Sequence, residues 1–217
     1  MAREFEDPQV MAVVGRTVPF SVETEAERLC AQAGGYDSRG EERRVVDRGT
    51  PFWFEMANFN GIGIGANMAF RRRAFEFWPG FDNRLGRGTL MDGAEEGHAY
   101  FSLIQRGYRV VYTPHAVVKH PYPRTLEELR AKHKKAMATA AAYATLLLVE
   151  EPRWWGKTIP YILRRVSGGA QPWQSDKLAR PPRILSHGQT WAAWLSGPFL
   201  YFRVRRSLAR ARERGRE

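Results

Sequence analysis

A single cysteine, Cys30, stands in 217 residues, which excludes an internal disulfide and any zinc site built on cysteine pairs. Long hydrophobic runs are also missing. The longest apolar stretches, 136–149 and 191–202, fall short of the roughly 20 residues that a membrane-spanning helix needs. The opening Met1-Ala2-Arg3-Glu4-Phe5-Glu6-Asp7 carries charge where a signal peptide has its apolar core, so export is not expected. A lone thiol suits a reducing compartment, and the expected location is the cytoplasm, either free or peripheral at the inner face of the membrane. There is no internal repeat, no zinc-finger spacing, no RNP-like aromatic strand and no helix-turn-helix pattern, which ranks nucleic acid last among partners.

What is present is a foldable chain with a strong positive bias. Hydrophobic residues make up 43% and aromatics 12%, enough to exclude wholesale disorder. Lys and Arg number 34 against 23 acids, a net charge of +11 that attracts polyanions: nucleotide phosphates, nucleic acid or an anionic lipid surface. The excess gathers at the end of the chain, in Arg203, Arg205, Arg206, Arg210, Arg212, Arg214 and Arg216. That run reads either as a solvated tail or as a polyanion contact.

Alternation and valine content predict a strand over 10–18, and a helix follows over 22–33, ended by Gly34-Gly35. The polar run 36–50 reads as a surface loop. A glycine-rich strand, Gly61-Ile62-Gly63-Ile64-Gly65-Ala66-Asn67, leads through Met68-Ala69-Phe70 to a helical turn over 73–78, broken at Pro79-Gly80. The loop over 81–89 is too rich in glycine and charge to be core. A helix is expected over 94–106, then strands over 109–112 and 116–119 around a Thr113-Pro114-His115 turn, then a long helix over 126–149.

Glu95 and Glu96 open the helix over 94–106. At 100° per residue Glu96 shares a face with Tyr100, Leu103 and Ile104, and Glu95 lines up with His98, Ser102 and Arg106, so Glu96 is expected to point inward and Glu95 toward solvent. The helix dipole alone favours acids in a first turn, by ~0.3–1 kcal/mol. An inward carboxylate behind a glycine loop adds the second possibility of a general base, since partial desolvation raises its proton affinity into a useful range. His120, at a strand end beside Pro121, is a candidate metal ligand or phosphate contact, or else an ordinary edge histidine.

Several linked motifs then share one register. Gly65-Ala66-Asn67-Met68-Ala69-Phe70-Arg71-Arg72, Gly80-Phe81-Asp82-Asn83-Arg84-Leu85-Gly86-Arg87-Gly88-Thr89, Gly93-Ala94-Glu95-Glu96, Arg106-Gly107-Tyr108-Arg109-Val110-Val111-Tyr112-Thr113-Pro114 and Val118-Lys119-His120 together resemble the acceptor-side half of family-2 glycosyltransferases of the GT-A fold. The match runs over roughly residues 7–148. The glycine run lacks the third glycine and the ribose-binding acid of a dinucleotide fold.

The resemblance implies an α/β, mixed-sheet partial GT-A fold over 1–150, followed by an aromatic and basic helical extension over 151–217. It implies inverting transfer of a sugar from a nucleotide donor to an acceptor hydroxyl. In the family a Glu-Asp pair stands where this chain has Glu95-Glu96, and its aspartate takes the acceptor's proton, so Glu96 is the expected base. Gly63, Gly65 and Asn67 are expected to shape the sugar or acceptor pocket, Asp82 and Arg84 to line its rim, and Gly88 to bind substrate. The chain departs from the family at His98, where a further acid is common, and at Tyr122, where a second histidine is common. The family's donor half, whose Asp-x-Asp carboxylates hold a divalent metal, Mg or Mn, is not in this sequence. A separately encoded donor half is therefore an expected partner, alongside nucleotide-sugar and a sugar or lipid-linked acceptor. In the extension, Trp154, Trp155, Trp173, Trp191 and Trp194 with the arginine run suggest either a helix on an anionic membrane or packing beneath the main domain.

Overall fold

A computed structural model describes residues 1–37, 39–168 and 182–214, with side chains through 210. Trp173, Arg216 and the side chains of Arg212 and Arg214 lie outside the described residues. The described residues form an α/β structure on a four-stranded mixed sheet. In chain order the elements are β1 (Val10–Pro19), α1 (Glu25–Gln32), β2 (Arg44–Val46), α2 (Trp53–Asn58), β3 (Met68–Phe70), α3 (Glu95–Ile104), β4 (Arg109–His120), α4 (Leu126–Glu150), α5 (Trp155–Val166) and α6 (His187–Arg214). The sheet order is β2-β4-β1-β3, with β1 and β4 parallel and the two short outer strands antiparallel to their neighbours.

The first half of β1, from Val10 to Val14, is enclosed on both faces, as its valine content leads one to expect for a central strand. β4 was expected as two strands flanking a turn. It is one strand, because the residues around Pro114 are absorbed by a register shift: Gly15 pairs with Thr113 and the next residue, Arg16, pairs with Val117. A bulge leaves a proline without a ladder hydrogen bond to lose, so pairing resumes beyond it. Asn67 braces the bulge, with Nδ2 donating to the Arg16 carbonyl at 2.9 Å and to the Ala116 carbonyl at 2.8 Å. Any side chain at Gly15 would overlap Asn67 Nδ2 and the Ala116 oxygen.

The helices pack onto this sheet by close approach. α1 and α4 each begin with a complete capping box, Thr24 with Glu27 and Thr125 with Glu128. Gly97 lets α3 lie against the end of α2, since a Cβ there would sit 2.9 Å from the Ala57 carbonyl oxygen. Trp53 and Phe54 of α2 meet Phe101 of α3 and Trp154 in an aromatic cluster. Gly197 brings α6 onto Ala141 and Ala142 of α4, and Tyr201 and Val204 of α6 belong to the main core. Trp154, Tyr201 and Val204, from the region expected to be an extension, thus join the same core as the sheet. No helix among the described residues is long and apolar enough to cross a membrane.

Two expectations for local structure change. Only Met68–Phe70 of the glycine-rich segment is strand, and 61–67 is irregular backbone. Gly63 is pressed against Val14, leaving no space for a side chain, so the run serves close passage over β1 rather than ladder pairing. The region 36–50 is not wholly surface loop either: Arg44–Val46 is an edge strand on β4, and Arg39 is buried.

Candidate active site around Glu96

Three successive residues with positive φ lead into α3: Asp92 at 47°, Gly93 at 157° and Ala94 at 71°. Left-handed backbone at the two non-glycine positions is strained and has to be held by its surroundings. Asp92 supplies the restraint. Its buried carboxylate meets Lys135 Nζ at 2.7 Å and Arg87 Nη1 at 3.1 Å, and accepts from the Gly88 amide at 3.0 Å. Thr139 Oγ1 adds a hydrogen bond to the Met91 carbonyl. Ala94 offers no side-chain cap, so the positive end of α3 is left to the two glutamates of its first turn.

Glu96 Oε1 accepts from the Gly65 amide at 3.3 Å, which joins the glycine segment to α3. Burial, followed by the neighbouring Glu95 charge, pushes the Glu96 carboxyl up to about 7. The inward direction expected for Glu96 is what the structure has. The solvent-facing expectation for Glu95 is not met. Glu95 is half-buried with its carboxyl carbon close over Gly86, and its Oε2 is buried with no hydrogen-bond partner. The helical wheel fails here because α3 has no open side near its start: Gly97, Ala99, Phe101 and Ser102 are all buried. Both acids of the first turn are therefore half-buried, Glu95 over Gly86 and Glu96 beside Gly65.

His98 is held apart from this chemistry. Its Nδ1 lies 3.1 Å from the Tyr143 hydroxyl, which itself donates to Asn58 Oδ1 at 2.6 Å. Because that hydroxyl's proton goes to Asn58, His98 Nδ1 is the donor, and burial lowers the proton affinity of the ring. Tyr122 is buried and accepts from the Tyr36 amide.

The remaining sequence-predicted residues divide. Gly65 touches Glu96 directly, and Gly63 holds the same segment against β1. Asn67 lies on that segment, but its amide is spent on the β-bulge. Asp82 and Arg84 bind each other and the far end of α4: Arg84 reaches Glu150, and Glu150 accepts from Tyr201 of α6 at 2.8 Å. Burial opposes the charge on Asp82, and the Arg84 hydrogen bonds outweigh it and hold the carboxyl below its usual range. Gly88 gives its amide to Asp92 and faces open space. His120 packs its ring on Tyr36 with Nδ1 near the Pro121 carbonyl, and no group of three or more His, Cys, Asp or Glu suited to a metal occurs among the described residues. A strand-end position alone brought no second ligand to it.

Beside the Gly61–Gly65 region lies a cavity of about 340 Å³ lined by Gly61 and Ile64, and also by Tyr36, Arg39, Arg44, Lys132 and His133. None of those last five was singled out from sequence as a site residue. Arg39 sits in a polar run that read as solvated, and Lys132 is one of several lysines on α4, so no local pattern marked them. No protein-family model and no curated protein sequence matches this chain.

Proposed function

We propose that the chain is the acceptor-side half of an inverting, family-2-like glycosyltransferase of GT-A type, with Glu96 as the base that takes the proton of the acceptor hydroxyl. The observation that carries this reading is the placement of the Glu96 carboxyl: it is anchored on the Gly65 amide, and burial followed by the Glu95 charge raises its proton affinity toward the range where a general base works best. Strained backbone ahead of it, at Asp92 and Ala94, is of the kind that gathers at functional sites. Glu95 keeps the proton affinity of Glu96 high, and the Asp92 ion pairs hold the turn that aims both. The divalent ion and the nucleotide diphosphate belong on this reading to a donor-binding partner half carrying the Asp-x-Asp motif. The test is sugar transfer by this chain combined with such a half. Glu96→Gln is expected to lower the rate by about 10²–10⁴-fold. An unchanged rate would remove Glu96 from the reaction.

A second reading, a basic membrane-associated module that recruits a transferase, draws on a different observation. α5 exposes Trp155, Ile159, Leu163 and Val166, and α6 exposes Trp191, Leu195, Phe199 and Phe202, each set at spacings of four, four and three that form one helical stripe. Arginines 164, 165, 203, 206 and 210 lie on the same two helices. Apolar stripes with arginine favour an anionic bilayer surface as the occupant. Sedimentation with phosphatidylglycerol vesicles, lost in Leu163→Glu and Phe199→Glu variants, supports this. Self-association without vesicles would assign the stripes to a second copy of the chain.

A further inference from the structure

The cavity beside the glycine segment is charged in one sense only. Arg39 comes from the loop after α1, Arg44 from β2 and Lys132 from α4, so three separate elements bring a cation to one enclosure, with no carboxylate among its described lining residues. His133 faces the same space, with Nδ1 on the Leu129 carbonyl 3.0 Å away. Lysines on the same helix that lie outside the lining behave differently: Lys134 is exposed, and Lys135 is spent on Asp92.

Arg39 carries the argument. It is 7% exposed, its two terminal nitrogens donate to the Tyr36 and Asn60 carbonyls, and its Nε is buried with no partner among the described residues. A guanidinium does not shed its proton in a protein, so burial forces it to find negative charge. The acids that act on it do not supply a full one. Asp37 gives both oxygens to Arg16, at 2.7 and 2.8 Å, and Glu96 is turned to the Gly65 amide. Lys132 Nζ donates to the Tyr36 hydroxyl and keeps two further protons to give.

We propose that this cavity binds a phosphate-bearing ligand, a sugar phosphate or a lipid diphosphate, with Arg39, Arg44 and Lys132 as the phosphate contacts. Two arginines and a lysine match the charge and the multiple acceptor oxygens of a phosphoryl group. A volume of about 340 Å³ lies at the small end of ligand sites and admits a phosphate with a group of about one sugar's size, leaving a longer chain to extend outward. Ile64 lines the cavity and the next amide, that of Gly65, holds Glu96, so the ligand binds at the flank of that carboxyl. Phosphate binding stands on the cavity alone, whereas its role as the acceptor's phosphate rests on the transfer reading.

Isothermal titration of the full chain with pyrophosphate at about 0.15 M salt tests this, because surface attraction is largely screened there. Saturable one-to-one binding is expected, weakened tenfold or more by Lys132→Ala and by Arg44→Ala. A variant with Arg203, Arg206 and Arg210 changed to Gln, which removes the arginines of a separate hollow on α6, is expected to bind as the parent does. No saturable binding at millimolar pyrophosphate, or loss only in the α6 variant, overturns the site. Glucose 1-phosphate and geranyl diphosphate then compete against pyrophosphate: the tighter competitor names the source of the phosphate, and competition by neither overturns an ester ligand. Glu96→Gln is expected to keep pyrophosphate binding while losing transfer. Failure of phosphate binding with transfer intact would sink only this site, and the reverse would sink only the catalytic reading.

Discussion

Replacing Glu96 by Gln is expected to stabilise the protein, and only at neutral to alkaline pH. A carboxyl at its usual 4.5 in the unfolded chain and near 7 in the folded one binds its proton more tightly when folded. Below pH 4.5 it is neutral in both states and costs nothing. Between 4.5 and 7 the unfolded chain ionises first, so stability falls as pH rises, and above 7 the full cost is present. A rise of that size corresponds to up to about 3 kcal/mol, with solvent access at the half-buried side chain reducing it. Gln keeps an oxygen for the Gly65 amide and carries no charge, so the cost disappears. With a urea m-value of about 2 kcal/mol/M for a chain of this size, the unfolding midpoint of the variant is expected to rise by up to about 1.5 M at pH 8 and to match the parent at pH 4. An equal shift at both pH values would mean that packing, not ionisation, is responsible. No shift at pH 8 would show that the carboxyl is not perturbed, and the proposed base would lose its physical footing.

Other expectations follow from the same geometry. Glu95→Gln removes the neighbouring charge that helps raise Glu96, so the pH midpoint of transfer should move to lower pH with the plateau rate retained; a midpoint that stays put would uncouple the pair. Asn67→Ala leaves the Arg16 and Ala116 carbonyls without their shared donor and is expected to cost about 1–3 kcal/mol in urea unfolding, whereas a loss of transfer at unchanged stability would assign Asn67 to substrate instead. Gly97→Val drives a side chain into the Ala57 carbonyl and should destabilise the α2–α3 contact by about 1–3 kcal/mol, read as a lowered Tm.

The parts of the fold that declared themselves in sequence are those where one local signal decides the structure. The valines of β1 mark a central strand, and α4 starts at Leu126, where periodicity placed it, whereas the capping threonine Thr24 starts α1 at Glu25, three residues later than expected. The misreadings arise where tertiary contact overrides a local rule. Pro114 signals a turn, yet a bulge braced from β3's approach by Asn67 keeps β4 whole. The glycine run alternates like a strand, yet its glycines are there to pass over Val14 and to offer an amide to Glu96. Glu95 falls on the polar side of a helical wheel, but α3 is enclosed around its first turns, which a single helix's pattern does not reveal. Arg39 is the extreme case: an arginine in a charged loop reads as solvated, and only the fold of that loop under α4 and β2 buries it.

The proton affinity of one side chain, Glu96, decides whether the site can act as a base. Carbon-13 labelling of glutamate carboxyls, with Glu96 assigned by its Gln variant, allows its titration to be followed directly by NMR from pH 4 to pH 9. A midpoint near 7 that falls when Glu95 is made neutral is the expected result. A midpoint near the ordinary 4.5, indifferent to Glu95, would contradict it.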